Sequence, residues 1–393
     1  MFELPNQPEN TKWKIWAIVS VALFLCTLSF VLVWYFLFYL SLPTQKNIVE
    51  NVQAATIPVV AEVETMKLEE KKEIVYPSTS IMIVGDIMLD RDVFYRIKKN
   101  NNDFAFPFAK ITDVLAGADF RVGNLEGPIT NNQSIIKAGS AEDNGGNLRF
   151  TFSPNTTTSL ANNFDLLSLA NNHITNFANA GVVQTKKYLE EAGINYFGDF
   201  YNQTDLSYIY EASVDLKVAF VGFHQFYNGG LNNVLSEIKR IKTEKLADLI
   251  IVYPHWGTEY LTSHPDKRQT DLAHQFIDSG ADIIIGSHPH VIQPIEIYKE
   301  KPIFYSLGNF VFDQYFSPET MQGLMLKLLV TKNEDNLKVD FELLPLQISR
   351  QTQVSLIDDQ IVKNKVLDGI AKDSNVSEEL KNKIRNGEIN FTF

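Results

Sequence analysis

The sequence predicts an α/β fold carried behind an N-terminal membrane-spanning helix, on three observations. From residue 80 onward, short β-rich apolar runs alternate with amphipathic stretches, which is the signature of strands and helices taking turns along the chain. Five of those runs end directly in Asp, Glu, Asn or His. Near the start, residues 15–42 read IWAIVSVALFLCTLSFVLVWYFLFYLSL, 28 residues without a charge and long enough to cross a bilayer with some tilt.

Composition narrows the classes further. Of 393 residues 45% are hydrophobic, with 27 Phe and 15 Tyr, enough to build a large core and too many for a disordered chain. Acidic residues outnumber basic ones 47 to 35, a formal charge of −12. No global basic footprint for nucleic acid exists, and none is expected as a partner. The single cysteine, Cys26, lies inside the apolar run. Intrachain disulfides and thiolate zinc sites are excluded, and any metal must be held by His, Asp, Glu or Asn.

Residues 1–14 read as a short cytoplasmic tail, since Lys12 and Lys14 precede the apolar run and positive charge favours the inner side. Trp13 and Trp16 at one end of the span, and Trp34, Tyr35 and Tyr39 towards the other, suit the two interfaces. The rival reading is a cleaved signal peptide ending near Val52-Gln53-Ala54. The run is about twice the usual signal-peptide core and that site lies far beyond its end, so 15–42 reads as an uncleaved single-pass anchor in the cell membrane, with the main domain extracytoplasmic. Residues 43–78 hold Pro43, Pro58 and Pro77 and the charged stretch MKLEEKKE, and read as an extracytoplasmic linker.

The main domain is expected over 79–350. Candidate strands fall at 81–84, 120–122, 166–169, 218–222, 249–253, 283–285 and 303–305, with helices at 179–192, 231–245 and 266–279. The polar, Gly/Asn-rich 131–147 reads as a surface loop, and 324–329 and 338–345 as later strands. A C-terminal extension, 351–393, reads as one or two polar helices on the outside.

The chemistry-bearing residues recur at strand ends. Gly85-Asp86 follows the first candidate strand, with Arg91 close behind. Gly123-Asn124-Leu125-Glu126 follows the second and Ala170-Asn171-Asn172-His173 the third. Pro254-His255-Trp256-Gly257 follows the run at 249–253, and Gly286-Ser287-His288-Pro289-His290 that at 283–285. A site at the carboxyl edge of a sheet has this construction: strands fix position while loops present donors. Taken singly, Asp86 is also a helix cap and Asn172 a turn residue. In an extended segment His288 and His290 would face one side together. His224, His264 and His274 lack such partners and read as ordinary surface or half-buried residues. Carboxylate, imidazole and amide donors without thiolate suit one or two divalent ions of Mn, Fe or Zn.

In order and wording, GDIMLDR, GNLEGPI, LANNHITNF, YPHWGTEY, GSHPHVIQPIE and YSLGNFVFD together resemble the CapA-type family of poly-γ-glutamate capsule synthesis proteins, over roughly residues 80–345. The resemblance implies a calcineurin-like metallophosphoesterase fold, a four-layer sandwich of two β-sheets flanked by helices, and an anchored, outward-facing arrangement. It also implies roles. Asp86, the bridging carboxylate Glu126, Asn172, His255, His288 and His290 would be metal ligands, and His173 the proton donor to the leaving group. Arg91 would place a fixed positive charge near an anionic substrate, and Asn124, Asn171, Glu259 and Asn309 would contact it. One departure stands out: Met88 occupies the position of a usual histidine ligand, leaving one metal site weaker, empty or to be completed by a group such as Asp90.

Two functions follow from the resemblance. One is a metal-dependent phosphoesterase-like hydrolase acting on an anionic polymer or phosphoester during capsule assembly, beside membrane-bound polymer synthase subunits. The other is a non-catalytic factor that binds polymer or docks on the synthase, for which Met88 speaks. A purely structural domain would require all five clusters to be coincidental.

Overall fold

The structure, a computed structural model, describes residues 76–135, 148–334 and 336–393. The tail 1–14, the expected span 15–42, all but the last residues of the expected linker, and 136–147 of the expected loop lie outside the described residues. Among the described residues, no helix is long and apolar enough to cross a membrane. The described chain belongs to a single compact unit, Glu73–Phe393.

In chain order the strands are β1 (Ser78–Ile87), β2 (Phe120–Leu125), β3 (Leu166–Ser168), β4 (Asn195–Phe197), β5 (Ser207–Ser213), β6 (Leu216–His224), β7 (Leu249–His255) and β8 (Ile283–Ile285). They continue with β9 (Ile295–Tyr298), β10 (Lys301–Phe304), β11 (Asn309–Val311), β12 (Gln322–Lys332), β13 (Leu337–Ile348), β14 (Val354–Leu356) and β15 (Glu388–Thr392). One sheet runs β14-β13-β12-β1-β2-β3-β4, with β11 added beside β1 and β15 beside β13. The second runs β5-β6-β7-β8-β10-β9. Both have a parallel centre, β1 to β4 in one and β6 to β10 in the other, with antiparallel flanks.

Alternation along the strands sorts their side chains into separate cores. Ile81, Ile83, Val122 and Leu166 face Val218, Phe220, Ile251 and Ile283 across the gap between the sheets. Their neighbours Met82, Val84, Leu125 and Leu167 point the other way. They pack with Val93 and Ile97 of the helix Arg91–Lys99 and Leu189 of the helix Ala178–Glu191. On the second sheet Val221, Ile250, Val252 and Ile284 meet Val234, Ile238 and Ile241 of the helix Leu231–Thr243, and Leu272 and Phe276 of the helix Lys267–Asp278. Three cores separate four layers: helices, sheet, sheet, helices.

The C-terminal residues do not lie merely outside, as their polarity predicts. Val366, Leu367 and Ile370 of the helix Gln360–Asp373, Ile384 of the helix Glu378–Asn386, and Ile389 of β15 join the core between the sheets. Their apolar positions are few and spaced, so a mostly charged segment still closes an open flank of that core.

The two ends of the parallel strands carry different chemistry. At the amino ends, Asp119, Asp165, Asp248 and Asp282 each accept a backbone N–H from the neighbouring strand, from Ser80, Arg121, Lys217 and Ile250 respectively. These carboxylates pin strand against strand. At the carboxyl ends, glycine allows the backbones to close up: a Cβ at Gly85 would overlap the carbonyl oxygen of Gly308, and one at Gly286 that of Tyr305. Beneath that edge the Tyr253 hydroxyl donates to the Val84 carbonyl and links the two sheets.

Gly85→Ala should therefore lower unfolding free energy by at least ~2 kcal/mol, the scale of an overpacked core site. Urea titration of the variant beside the natural chain measures it, and an unchanged midpoint would mean that β11 yields freely.

Candidate metal centre

Residues from both sheets converge at the shared carboxyl edge. Asp86 closes β1 and Glu126 follows β2, while Asn172 and His173 follow β3. His255 closes β7, and His288 and His290 follow β8. Asp86 stands at the junction and is fully buried. Its Oδ1 accepts from Asn124 Nδ2 at 2.7 Å, and its Oδ2 accepts the His288 backbone N–H at 3.0 Å. His290 Nδ1 lies 3.4 Å from Oδ2, and His255 Nδ1 lies 3.9 Å from Oδ1.

The expected ligands come together. Glu126, His288 and His290 offer donor atoms within 4.8 Å of one another, and so do Asp86, Glu126 and His255. Asn172 Oδ1 lies 2.9 Å from His255 Nε2, and His288 Nδ1 lies 3.1 Å from that same nitrogen. The route to this geometry differs from the sequence argument. His288 and His290 do not sit in an extended segment: their φ angles are +95° and +58°, left-handed backbone that side-chain-bearing residues adopt at a cost. The bend, rather than strand alternation, turns both imidazoles inward.

Glu126 supplies the test of whether a cation fits. The residue has no solvent exposure, and neither carboxylate oxygen has a hydrogen-bond partner among the described residues. Burial, and next the charge of Asp86, push its pKa well above the usual carboxylate range. Burial together with the neighbouring imidazoles pulls His255 and His288 well below theirs. A buried carboxylate without donors is costly; facing oxygen and nitrogen ligands with no thiolate, it fits a divalent cation of the Mn, Fe or Zn type. Asp86, Glu126, Asn172, His255, His288 and His290 would hold it.

His173 lies beside this group, its Nε2 3.8 Å from Glu126 Oε1. Its Nδ1 meets Asn176 Oδ1 at 3.1 Å and its ring stacks on Phe150 at 4.2 Å. Burial brings its pKa down to about 4. The Asn176 amide oxygen, which also accepts the Phe150 N–H, holds the Nδ1 side, and the Leu148 backbone bonds the ring as well.

The structure places the expected substrate contacts differently from one another. Asn124, Asn171 and Asn309 are buried and bonded to protein. Asn124 bridges Asp86 and His255, and its oxygen accepts from Asn171 Nδ2. Asn171 also donates to the Leu125 carbonyl. Asn309 Oδ1 takes the His290 Nδ1 side at 2.9 Å, while its amide donates to His290, Gln314 and Thr320. Asn124 and Asn309 aim candidate ligands, and Asn171 in turn holds Asn124. Arg91 is held by both oxygens of Asp313, through Nε at 3.1 Å and through Nη2, between the rings of Phe150 and Phe312. Its charge is thus largely answered from within, and only Nη1 is left over from that pair.

Asp90 does not complete a metal site. It caps the helix Arg91–Lys99 through the Arg91 N–H, and its other oxygen takes the Thr151 N–H. Met88 is buried in the helix-side core, and its sulfur accepts the Asp90 N–H at 3.1 Å. Glu259 alone of the expected substrate contacts is exposed.

His264 is exposed beside Ser263, and His274 pairs with Glu296 on the surface side of its helix, as expected. His224 differs: it is fully buried at the end of β6, in register with His255. Its partners Asn202 and Phe200 lie more than twenty residues away in sequence, so it gave no signal. Asp313 was missed for the same reason, since its partner Arg91 is 222 residues away.

The profile described as bacterial capsule synthesis protein PGA_cap matches residues 80–314. The chain is similar to the capsule biosynthesis protein CapA of Bacillus anthracis, at 31% identity over 75% of this chain and 73% of that protein. It is also similar to the PGA biosynthesis protein CapA of Bacillus subtilis (strain 168), at 29% identity over 79% and 82% respectively. Among solved structures, Vps29 of Chaetomium thermophilum aligns with 49% of this chain and 77% of its own at 10% identity, with a TM-score of 0.23.

Burial favours the protonated form of Glu126 when no metal is bound, so the neutral isostere Glu126→Gln should be about as stable as the natural chain without added metal. With Mn or Zn at a hundredfold over Kd, the natural chain should gain about 2.7 kcal/mol and the variant much less. Thermal melts with and without metal read both effects, and equal gains would remove Glu126 from the ligand set.

Proposed function

The chain belongs to the bacterial capsule synthesis protein family, PGA_cap, of CapA type, and from that premise we propose that it is a divalent-metal-dependent phosphoester hydrolase of capsule polymer assembly. The observation that carries the proposal is the Glu126 carboxylate, sealed from water and unpartnered among five further oxygen and nitrogen ligands. A cation held there supplies positive charge and Lewis acidity to the oxygens of an in-line phosphoryl displacement.

The residues around it divide the remaining work. Asp86, oriented by Asn124 and the His288 N–H, fixes the two sheets' contributions to a common centre. Asn309 and Asn171 hold His290 and Asn124 in place. His173, the proton donor that the resemblance implies, would protonate the departing oxygen, and the proton lost by the attacking water on the opposite side would pass through solvent to restore the histidine. Alcohol and phosphate leave with protons balanced, and the histidine ends as it began. Arg91 Nη1 adds a donor for a phosphoryl oxygen.

The anchor 15–42 would hold the enzyme in the cell membrane, N-terminus inside and main domain outside, near membrane-bound polymer synthase subunits. Two features support that placement. The apolar run is long enough to span, and the site lies at the far end of β1 from residue 76, ten residues or roughly 30 Å away. An anionic polymer or phosphoester would then approach from the side away from the tether.

A second reading, polymer binding without turnover, is favoured by Met88, which replaces a ligand with core packing.

His173→Ala should keep its metal while turnover of phosphoester substrates falls by roughly 10²- to 10⁴-fold. Steady-state rates with elemental analysis of the same samples decide it. Metal retained by a natural chain that turns over no phosphoester would instead support the binding role.

A further inference from the structure

His224 is the buried titratable group that this mechanism leaves unused. It ends β6 in register with His255 on β7, and the two rings are 6.3 Å apart. Its backbone is locked: the N–H donates to Asn202 Oδ1 at 2.7 Å and the carbonyl accepts from Asn202 Nδ2 at 2.8 Å. On the ring, Nδ1 lies 2.9 Å from the Phe200 carbonyl. A carbonyl only accepts, so the proton sits on Nδ1 and Nε2 carries a bare lone pair. That nitrogen is sealed from solvent and has no partner among the described residues.

What covers it is an aromatic wall. Phe226 is 44% exposed, yet its ring lies 5.6 Å from His224, 6.2 Å from His255 and 4.4 Å from His288. Phe200 packs on His224 at 4.7 Å, with Tyr201 and Tyr227 beside it. Phe226 therefore borders three imidazoles from a turn, beside the candidate metal ligands.

We propose that His224, Phe226 and the adjoining tyrosines form a second subsite, which takes the organic part of the substrate through a neutral hydrogen-bond donor given to His224 Nε2. The inference rests on the phosphoester reading above. An acceptor without a proton selects hydroxyl or amide N–H and rejects a second anion, and the exposed aromatic faces select a body with an apolar side. Leaving a buried acceptor unpaired is what gives such a site its discrimination.

The test uses the full chain in detergent, loaded with Mn for affinities and with Zn for spectra, and three probes: glucose 6-phosphate, γ-glutamylglutamate and cyclohexyl phosphate. The first donates hydroxyls, the second an amide N–H, and the third nothing on its ring. With 15N-labelled histidine, the Nε2 resonance of His224 should move upfield with a donor probe and stay with cyclohexyl phosphate. The responding donor identifies the class. In parallel, the affinity ratio of glucose 6-phosphate, or the dipeptide if that is the responder, to cyclohexyl phosphate should drop about tenfold in His224→Phe, one hydrogen bond's discrimination.

Structural damage would weaken both probes alike and leave the ratio unchanged. If the variant does not fold, the resonance shift in the natural chain decides alone. No shift with either donor, or an unchanged ratio, overturns the subsite. Turnover is not part of this readout, so loss of hydrolysis with a retained shift would fault the proposed reaction and not His224.

Discussion

The Asp86 carboxylate is the point at which the two sheets become one site. One oxygen is held from its own sheet by Asn124, and the other by the His288 backbone of the opposite sheet. Both interactions are buried, so neither is diluted by water. The ligands are divided between the sheets, and no single sheet carries a complete set. The apolar core between the sheets is consequently a requirement of the chemistry as well as of the fold. Tyr253, reaching across to the Val84 carbonyl just below, and the glycines that let β11 and β10 close on the strand ends serve the same junction.

Polar residues at the two ends of the parallel strands do opposite things. At the amino ends Asp119, Asp165, Asp248 and Asp282 are satisfied by neighbouring backbone and hold register. At the carboxyl ends the backbone is bent into unfavourable φ at His288 and His290, and Glu126 and His224 are buried with atoms left unpartnered. Satisfied groups stabilise, whereas Glu126 and His224, without a partner for these atoms among the described residues, lie where a ligand can relieve them. Around them Asn124, Asn171, Asn309 and Asp313 form a shell that aims the outward-facing groups.

Much of this was legible in the chain. Long buried strands such as β6, β7 and β1, and the amphipathic helices after β3 and β6, show through their periodicity, and the motif order picked out the six candidate ligands that the fold brings to one edge. What escaped has physical reasons. β4, β11 and β14 are three-residue strands that each include Asn or Ser, without the Ile-Ile-Ile run that marks the equally short β8. The C-terminal helices bury few residues each, so composition marks them as solvated. The inward turn of His288 and His290 depends on left-handed backbone, which a residue-type pattern does not encode. The difference between contacting a substrate and positioning a neighbour also needs coordinates: Asn124 and Asn309 look alike in either role until their partners are seen. His224 and the Asp313 clamp on Arg91 depend on residues brought together only by folding.

The most direct measurement is elemental analysis of the purified full chain after exposure to Mn and Zn and removal of the excess. A cation retained at one or two per chain by the natural protein, and lost on replacing His288 and His290 together, is the expected result. A folded natural chain that retains no metal would contradict it, leaving Glu126 a buried carboxyl stabilised by protonation alone.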